Sequence, residues 1–256
     1  MKQVRILPHS LLLVLCMEIM AASAFSPCAH HRNSASVQTN QISKSKSALH
    51  ASPIPGVETP RSLVQKGMQS FRDYDVPSSL AYFDAADAAM PNGKLRPYLW
   101  QRGISYYYLD RFAEGSDQFR LDVSVNPLDV EEIVWDIACL ARMDGTGGGE
   151  FPPERRMALP KGKADRRRIM STVYSLFRGD DGATEYDLRR VGHEGNSSDE
   201  FYSLFYLGLY CEIRNELSKA ETYMKAAASS EYATGNGAGD YMTSCAKVHC
   251  KLRGWA

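Results

Sequence analysis

The chain has 256 residues, and its 30 Lys and Arg are balanced by 30 Asp and Glu, so its formal net charge is zero. A neutral chain lacks the basic footprint of indiscriminate nucleic-acid binding, and the totals therefore argue against a nucleic-acid partner. With 44% hydrophobic residues, the chain can bury a sizeable core in one or two domains. Its six cysteines form no CxxC pair, which favours buried thiols in a reducing compartment; they are Cys16, Cys28, Cys139, Cys211, Cys245 and Cys250.

The first 24 residues have the composition of a signal peptide. Lys2 and Arg5 precede the apolar run "LLLVLCMEIM", and the small residues of "AASAF" predict cleavage after Ala24. The run is too short to span a bilayer comfortably, so we expect no transmembrane segment in the mature chain.

Residues 25–59 begin with "FSPCAHHRNSASVQTNQISKSKSALHAS", which is Ser-rich, basic and free of acidic residues, as transit peptides are. A signal peptide that runs into such a segment at "ASAFSP" resembles the bipartite plastid presequence of diatoms and related algae. In that presequence a Phe, here Phe25, directly follows the cleavage site. No second apolar stretch lies before Pro60, so the resemblance implies the plastid stroma of an alga with a secondary plastid. The alternative is a secreted protein with a disordered Ser-rich linker.

An internal repeat organises residues 60–256. Gly67, Phe83 and Pro91 recur 36 residues later as Gly103, Phe119 and Pro127. A third copy keeps the spacing with Gly208, Ala220 and Met224, but it has Tyr232 in place of the closing proline. Apolar residues at helical spacing predict two helices in each copy, and the copies span about 60–93, 96–128 and 201–234.

The copies resemble the tetratricopeptide repeat, a helix-turn-helix unit with the pattern W-x2-L-G-x2-Y…A-x3-F…P. The second copy matches with Leu99, Gly103, Tyr106, Phe119 and Pro127, and the chain resembles small plastid-targeted proteins of this type in algae and plants. The resemblance implies an all-α fold, a right-handed superhelical stack of antiparallel helix pairs. We interpret residues 129–195 as a degenerate fourth repeat with an insertion, and residues 239–253 as a C-terminal capping helix.

A glycine in the middle of a helix costs roughly 1 kcal/mol relative to alanine, so Gly103 needs a compensating contact. We predict that this glycine lets the two helices of its repeat approach closely, with Phe119 packed against it. Tyr106 matches the core tyrosine of the family. Ser197 with Glu200 predicts a capping box at the start of the third copy.

The inner face of such a stack forms a concave groove, and aromatic residues and Met are typical of protein-protein contacts. The sequence therefore predicts a non-enzymatic scaffold that binds an unidentified protein through this face. The residues placed on it by their spacing from the repeat glycines are Val64, Met68, Phe71, Trp100, Ile104, Tyr107, Tyr108, Phe205 and Leu209. Two alternatives remain open: an open groove, or a core covered by the middle helices or the final helix.

The alternative function is an RNA- or membrane-surface-associated factor that uses the basic segment 155–168. Its cations are Arg155, Arg156, Lys161, Lys163, Arg166, Arg167 and Arg168. We predict no catalytic residues, no cofactor and no metal. The loop "DGTGGGE" lacks the Lys-Ser/Thr of a P-loop, and Cys245 with His249 supplies only two of the four ligands that zinc needs.

Overall fold

The computed structural model describes residues 58–143, 155–179 and 182–255. The predicted presequence and the loop "DGTGGGE" lie outside or at the edge of these ranges. The described residues are all-helical and contain no strand, which confirms the predicted all-α class. Eleven α-helices are present in them: α1 (Pro60–Arg72), α2 (Val76–Ala88), α3 (Trp100–Tyr108), α4 (Phe112–Val125), α5 (Val130–Met143), α6 (Arg168–Arg178), α7 (Glu185–Glu194), α8 (Ser197–Ile213), α9 (Leu217–Ala228), α10 (Glu231–Thr234) and α11 (Tyr241–Leu252).

Each of the three predicted repeat ranges contains two helices that pack against each other: α1 with α2, α3 with α4, and α8 with α9. A Cβ atom added at Gly103 would lie 2.7 Å from the Phe119 ring, closer than real Cβ atoms come to a neighbour. This confirms the predicted close approach. The same approach recurs at Gly67, where the Phe83 ring would lie 3.0 Å away, and at Gly208, where Met224 Cε would lie 2.9 Å away.

The helix starts follow from local side chains. Thr59 caps α1, and its hydroxyl accepts a hydrogen bond from the Ser62 backbone N–H, while Pro60 occupies the first turn. At α8 the capping box is formed by Asn196 and Asp199 and not by Ser197 and Glu200, as the sequence predicted. The correction has a simple reason: the Asn196 carboxamide oxygen accepts from two backbone N–H groups, at 2.8 and 3.1 Å, so the helix starts one residue earlier.

The middle of the chain connects the second and third repeats. Helix α5 packs against α4 and α6, α6 packs against α7, and α7 packs against α8, so adjacent elements stay in contact along the chain. Helix α5 is buried on nearly every side, and Trp135 lies at its centre with 1% exposure.

Helix α11 returns to the beginning of the array. It packs against α9 and also against α1, and nine of its side chains are buried. Asp240 caps it and also accepts hydrogen bonds from Tyr202 and Tyr232, at 2.9 and 3.0 Å. The predicted capping helix thus contacts the first repeat as well as the last, in line with the alternative in which the final helix covers the inner face. None of the helices in the described part of the chain has the length and apolar character needed to span a bilayer.

Candidate binding pocket

The predicted groove residues lie in the hydrophobic core. Eight of the nine are buried, with exposures between 0 and 6%; they are Val64, Met68, Phe71, Ile104, Tyr107, Tyr108, Phe205 and Leu209. The ninth, Trp100, is half-buried. Of the two alternatives left open by the sequence, the covered core is the one that the structure has.

The cover comes from two helices. Tyr241 of α11 stacks on Phe71 with ring centroids 5.1 Å apart, and it meets Trp100 edge-on at 5.3 Å. Trp135 of α5 meets Tyr107 at 5.2 Å. These aromatic faces are therefore occupied by the chain itself.

The three consecutive tyrosines have different environments. Tyr106, expected in the helix-pair core, lies with its ring between two guanidinium groups, 5.0 Å from Arg102 and 4.7 Å from Arg111. Tyr107 and Tyr108, expected to face a partner, are instead buried against α5, α8 and α11. Burial raises the pKa of all three hydroxyls, well above its usual value for Tyr107 and Tyr108.

A buried carboxylate joins four helices. Glu212 of α8 is 4% exposed, and its Oε2 accepts a hydrogen bond from the Tyr107 hydroxyl at 2.6 Å. Its Oε1 accepts from Arg253 Nε at 2.5 Å, and Arg142 Nη1 lies 3.0 Å away. Removing one partner from such a buried pair typically costs about 3–5 kcal/mol. The cluster therefore ties α3, α5, α8 and the end of α11 together.

His249 also belongs to this cluster, which we call the Glu212 cluster and which consists of Tyr107, Arg142, Glu212, His249 and Arg253. The Nε2 of His249 lies 3.6 Å from Glu212 Oε1, and its Nδ1 lies 3.2 Å from the Tyr108 hydroxyl. Burial lowers the pKa of His249 to about 4, although Glu212 acts in the opposite direction. The imidazole is therefore neutral at pH 7.

The Glu212 carboxylate stays ionised. Burial alone would raise its pKa, but the opposing effects of His249, Arg253, the Tyr107 hydroxyl and Arg142 outweigh it and lower the pKa to about 2. Because His249 is neutral at pH 7, the two guanidinium groups are the charges that hold this carboxylate in its anionic form.

A pocket borders the Glu212 cluster, and Glu212, Arg142 and Arg253 form part of its wall. Its cavity volume is about 500 Å³, within the range of small-ligand sites, and it lies where α4, α5, α8, α9 and the end of α11 meet. Its walls combine charged, polar and apolar groups; they are Phe112, Ala141, Arg142, Glu212, Asn215, Leu217, Arg253 and Trp255. Leu217 is 52% exposed at the rim, whereas Phe112 and Trp255 are half-buried.

No sequence pattern marks Glu212, Arg142 or Arg253 as a group. Arg142 precedes Glu212 by 70 residues and Arg253 follows it by 41, and no motif links the three. The one usable signal was Glu212 itself, an acidic residue within the apolar run of the third copy, "FYSLFYLGLYCEI". A charge at such a position predicts a buried partner without naming it.

The basic segment is partly tied to the protein. Arg167 pairs with Asp165 at 2.9 Å and with Glu131 at 3.7 Å, and Arg168 pairs with Glu194 at 3.2 Å. Arg156 donates to the backbone carbonyl of Arg178, and the carbonyl of Arg155 accepts from Arg120. The structure leaves Lys161, Lys163 and Arg166 exposed.

The cysteine and histidine pair considered for zinc lies inside the protein. Cys245 and His249 are both fully buried, and the four described cysteines carry no disulfide. One group of potential ligands, Glu185, Cys211 and Glu216, has its ligand atoms within 4.8 Å of one another. Lys219 already pairs with both carboxylates, at 3.3 and 2.6 Å, and burial raises the pKa of the Cys211 thiol to about 12. Both features disfavour a metal there.

Comparison of the chain with protein-family models, with curated proteins and with solved structures gives no match.

Proposed function

We propose that the chain is a non-enzymatic scaffold of the plastid that binds another protein, and that its helices form a tetratricopeptide-type, right-handed stack of antiparallel pairs. Two kinds of observation support this proposal. The repeat glycines are each packed against a large side chain of the paired helix, and adjacent helices are in contact along the chain.

The binding surface in this proposal is the pocket and not the concave aromatic face. One observation supports this choice. Leu217, Phe112 and Trp255 present apolar surface to solvent in the same pocket as the two guanidinium groups of Arg142 and Arg253. Arg and aromatic residues are the groups on which protein-protein contacts depend most. The buried Glu212 holds both guanidinium groups in place, so the site is pre-organised and loses little entropy on binding.

A charge introduced at the rim tests this function. We expect Leu217→Glu to weaken capture of the partner by the purified protein, because it places a charge in the apolar contact. Tyr186→Glu is the matched control, since Tyr186 is 73% exposed on α7 and is not among the residues that line this pocket. A photo-crosslinking residue at position 217 should label the same protein that Leu217→Glu captures less well. Equal capture by both variants would exclude the pocket as the binding surface.

The alternative, binding of RNA or of a membrane surface, has support from the three exposed cations Lys161, Lys163 and Arg166. Phosphate-driven binding weakens steeply with added salt, whereas contacts dominated by apolar surface do not. Neutralising these three residues should remove binding to a phosphate backbone and leave capture of the protein partner unchanged.

A further inference from the structure

We infer that the pocket recognises an acidic side chain, Asp or Glu, that lies next to a large apolar side chain in an internal segment of the partner protein. This inference rests on the proposed function and adds the chemistry of the partner.

The first step is the charge of the pocket wall. Arg142 and Arg253 supply two positive charges, Glu212 supplies one negative charge, and His249 behind them is neutral at pH 7. Asp110 also lies 3.6 Å from Arg142 Nη2, but its side chain is 63% exposed, so water screens its charge. The pocket itself therefore has one positive charge in excess.

The second step concerns the two guanidinium groups, which form the charged wall of the pocket. Arg253 donates its Nε to Glu212, and its Nη2 is enclosed by protein, out of reach of a ligand. Arg142 Nη1 lies 3.0 Å from Glu212, whereas its Nη2 lies 3.6 Å from the exposed Asp110, which a ligand carboxylate can replace. A guanidinium group has five N–H donors, and a carboxylate that accepts through both oxygens suits it.

The third step concerns the shape of the site. The apolar wall of Phe112, Leu217 and Trp255 lies beside the charged wall, so that a carboxylate and an apolar side chain can bind together. The pocket is open at the rim, where Leu217 is half-exposed, and a continuous chain can lie across it. Asn215, exposed on the same wall, offers a donor and an acceptor that match a peptide group. An internal segment of the partner can therefore contact the charged, the apolar and the polar residues of the wall at the same time.

The test uses a displayed library of random seven-residue peptides, flanked at both ends by fixed Gly-Ser linkers, selected against the full chain. We expect the enriched peptides to carry Asp or Glu within two residues of Leu, Ile, Phe or Trp. An enriched set without acidic residues would overturn the inference. Enrichment found only in a parallel library with a free carboxyl end would also overturn it, because the carboxylate would then be a chain terminus.

Two variants at an exposed position give the control for folding. Leu217→Lys and Leu217→Glu change charge at the rim without removing a buried group, and thermal unfolding should show both to be folded. Both variants lose the apolar contact of Leu217, so their affinities differ only through the charge. We expect the best acidic peptide to bind about 2- to 5-fold more tightly to the Lys variant than to the Glu variant. The ratio should fall toward one at high salt.

The inference and the proposed function fail in different ways. If the enriched peptides are apolar and neutral and are lost in both Leu217 variants, the pocket binds proteins but does not recognise a carboxylate. If no peptide is enriched and the partner is still captured by Leu217→Glu, both are wrong.

Discussion

At the residue scale, the repeat glycines are positions where a neighbouring side chain already fills the space of a Cβ atom. The Phe119 ring occupies that space at Gly103, and Met224 occupies it at Gly208. Packing of this kind offsets the helix propensity that a glycine lacks. The sequence was sufficient to predict this contact, because a large residue follows each of these glycines at the same spacing of 16 positions: Phe83, Phe119 and Met224.

We predict that Gly103→Ala destabilises the protein by about 1–2 kcal/mol. The added methyl group would lie 2.7 Å from the fully buried Phe119 ring, which places the cost of overpacking at about 2–3 kcal/mol, and the gain in helix propensity of about 1 kcal/mol offsets part of it. Gly239→Ala is the matched control, since nothing lies within 4 Å of its added Cβ. Urea unfolding measures both. An alanine at 103 that leaves the free energy of unfolding unchanged would contradict the contact.

The Glu212 cluster also gives a pH dependence at the residue scale. His249 has a folded-state pKa of about 4, below its ordinary value of about 6.5. Between these values the unfolded chain binds a proton that the folded chain does not, so the stability contributed by neutral His249 is lost as the pH falls through this window. Above pH 6.5 this contribution is fully present.

We therefore expect His249→Gln to be less destabilising at pH 5 than at pH 7. The variant cannot bind the proton, so the stability gap between it and the wild type should shrink by about 2 kcal/mol over these two units. Other titrating groups, such as Glu131, whose pKa burial raises to about 7, contribute equally to both proteins, so their pH dependence cancels in the gap. Urea unfolding of both proteins gives the gap, and an equal gap at both pH values would contradict the buried, neutral histidine.

At the scale of elements, helix α11 decides whether the inner aromatic face is open. Its Tyr241 fills the space between Phe71 of α1 and Trp100 of α3. Sequence patterning could predict that this helix exists, and its boundaries were close to those observed. It left open whether the helix covers α1, because the contact between Phe71 and Tyr241 joins residues 170 positions apart and depends on how distant helices pack.

Removing the Tyr241 ring should open this face. We expect Tyr241→Ala to lower the free energy of unfolding by about 3–4 kcal/mol, as large-to-small changes of buried aromatic residues do. Binding of a hydrophobic dye to the folded variant should rise. Tyr186→Ala, at a position that is 73% exposed, should change stability by less than about 0.5 kcal/mol. A Tyr241→Ala protein as stable as the control would mean that α11 does not close the face.

At the scale of the whole molecule, the predicted presequence depends on composition and on one short motif, "ASAFSP". We expect residues 1–59, fused to a fluorescent protein, to direct it into the plastid of an alga with a secondary plastid. In the same fusion, Phe25→Ala should leave the reporter outside the plastid while the signal peptide still acts. Export of the unchanged fusion to the medium would support secretion instead.

The amino-acid sequence is sufficient to predict the helical class, the repeat and the contact between each repeat glycine and its partner, because these depend on residues within about 36 positions of one another. It also places the inner aromatic residues on a shared face. That this face is core follows from the folded protein, since closure by α5 and α11 brings distant helices onto it. The pocket also depends on tertiary structure. Glu212 lies on α8, Arg142 on α5 and Arg253 at the end of α11, so these side chains form ion pairs only when the three helices pack together.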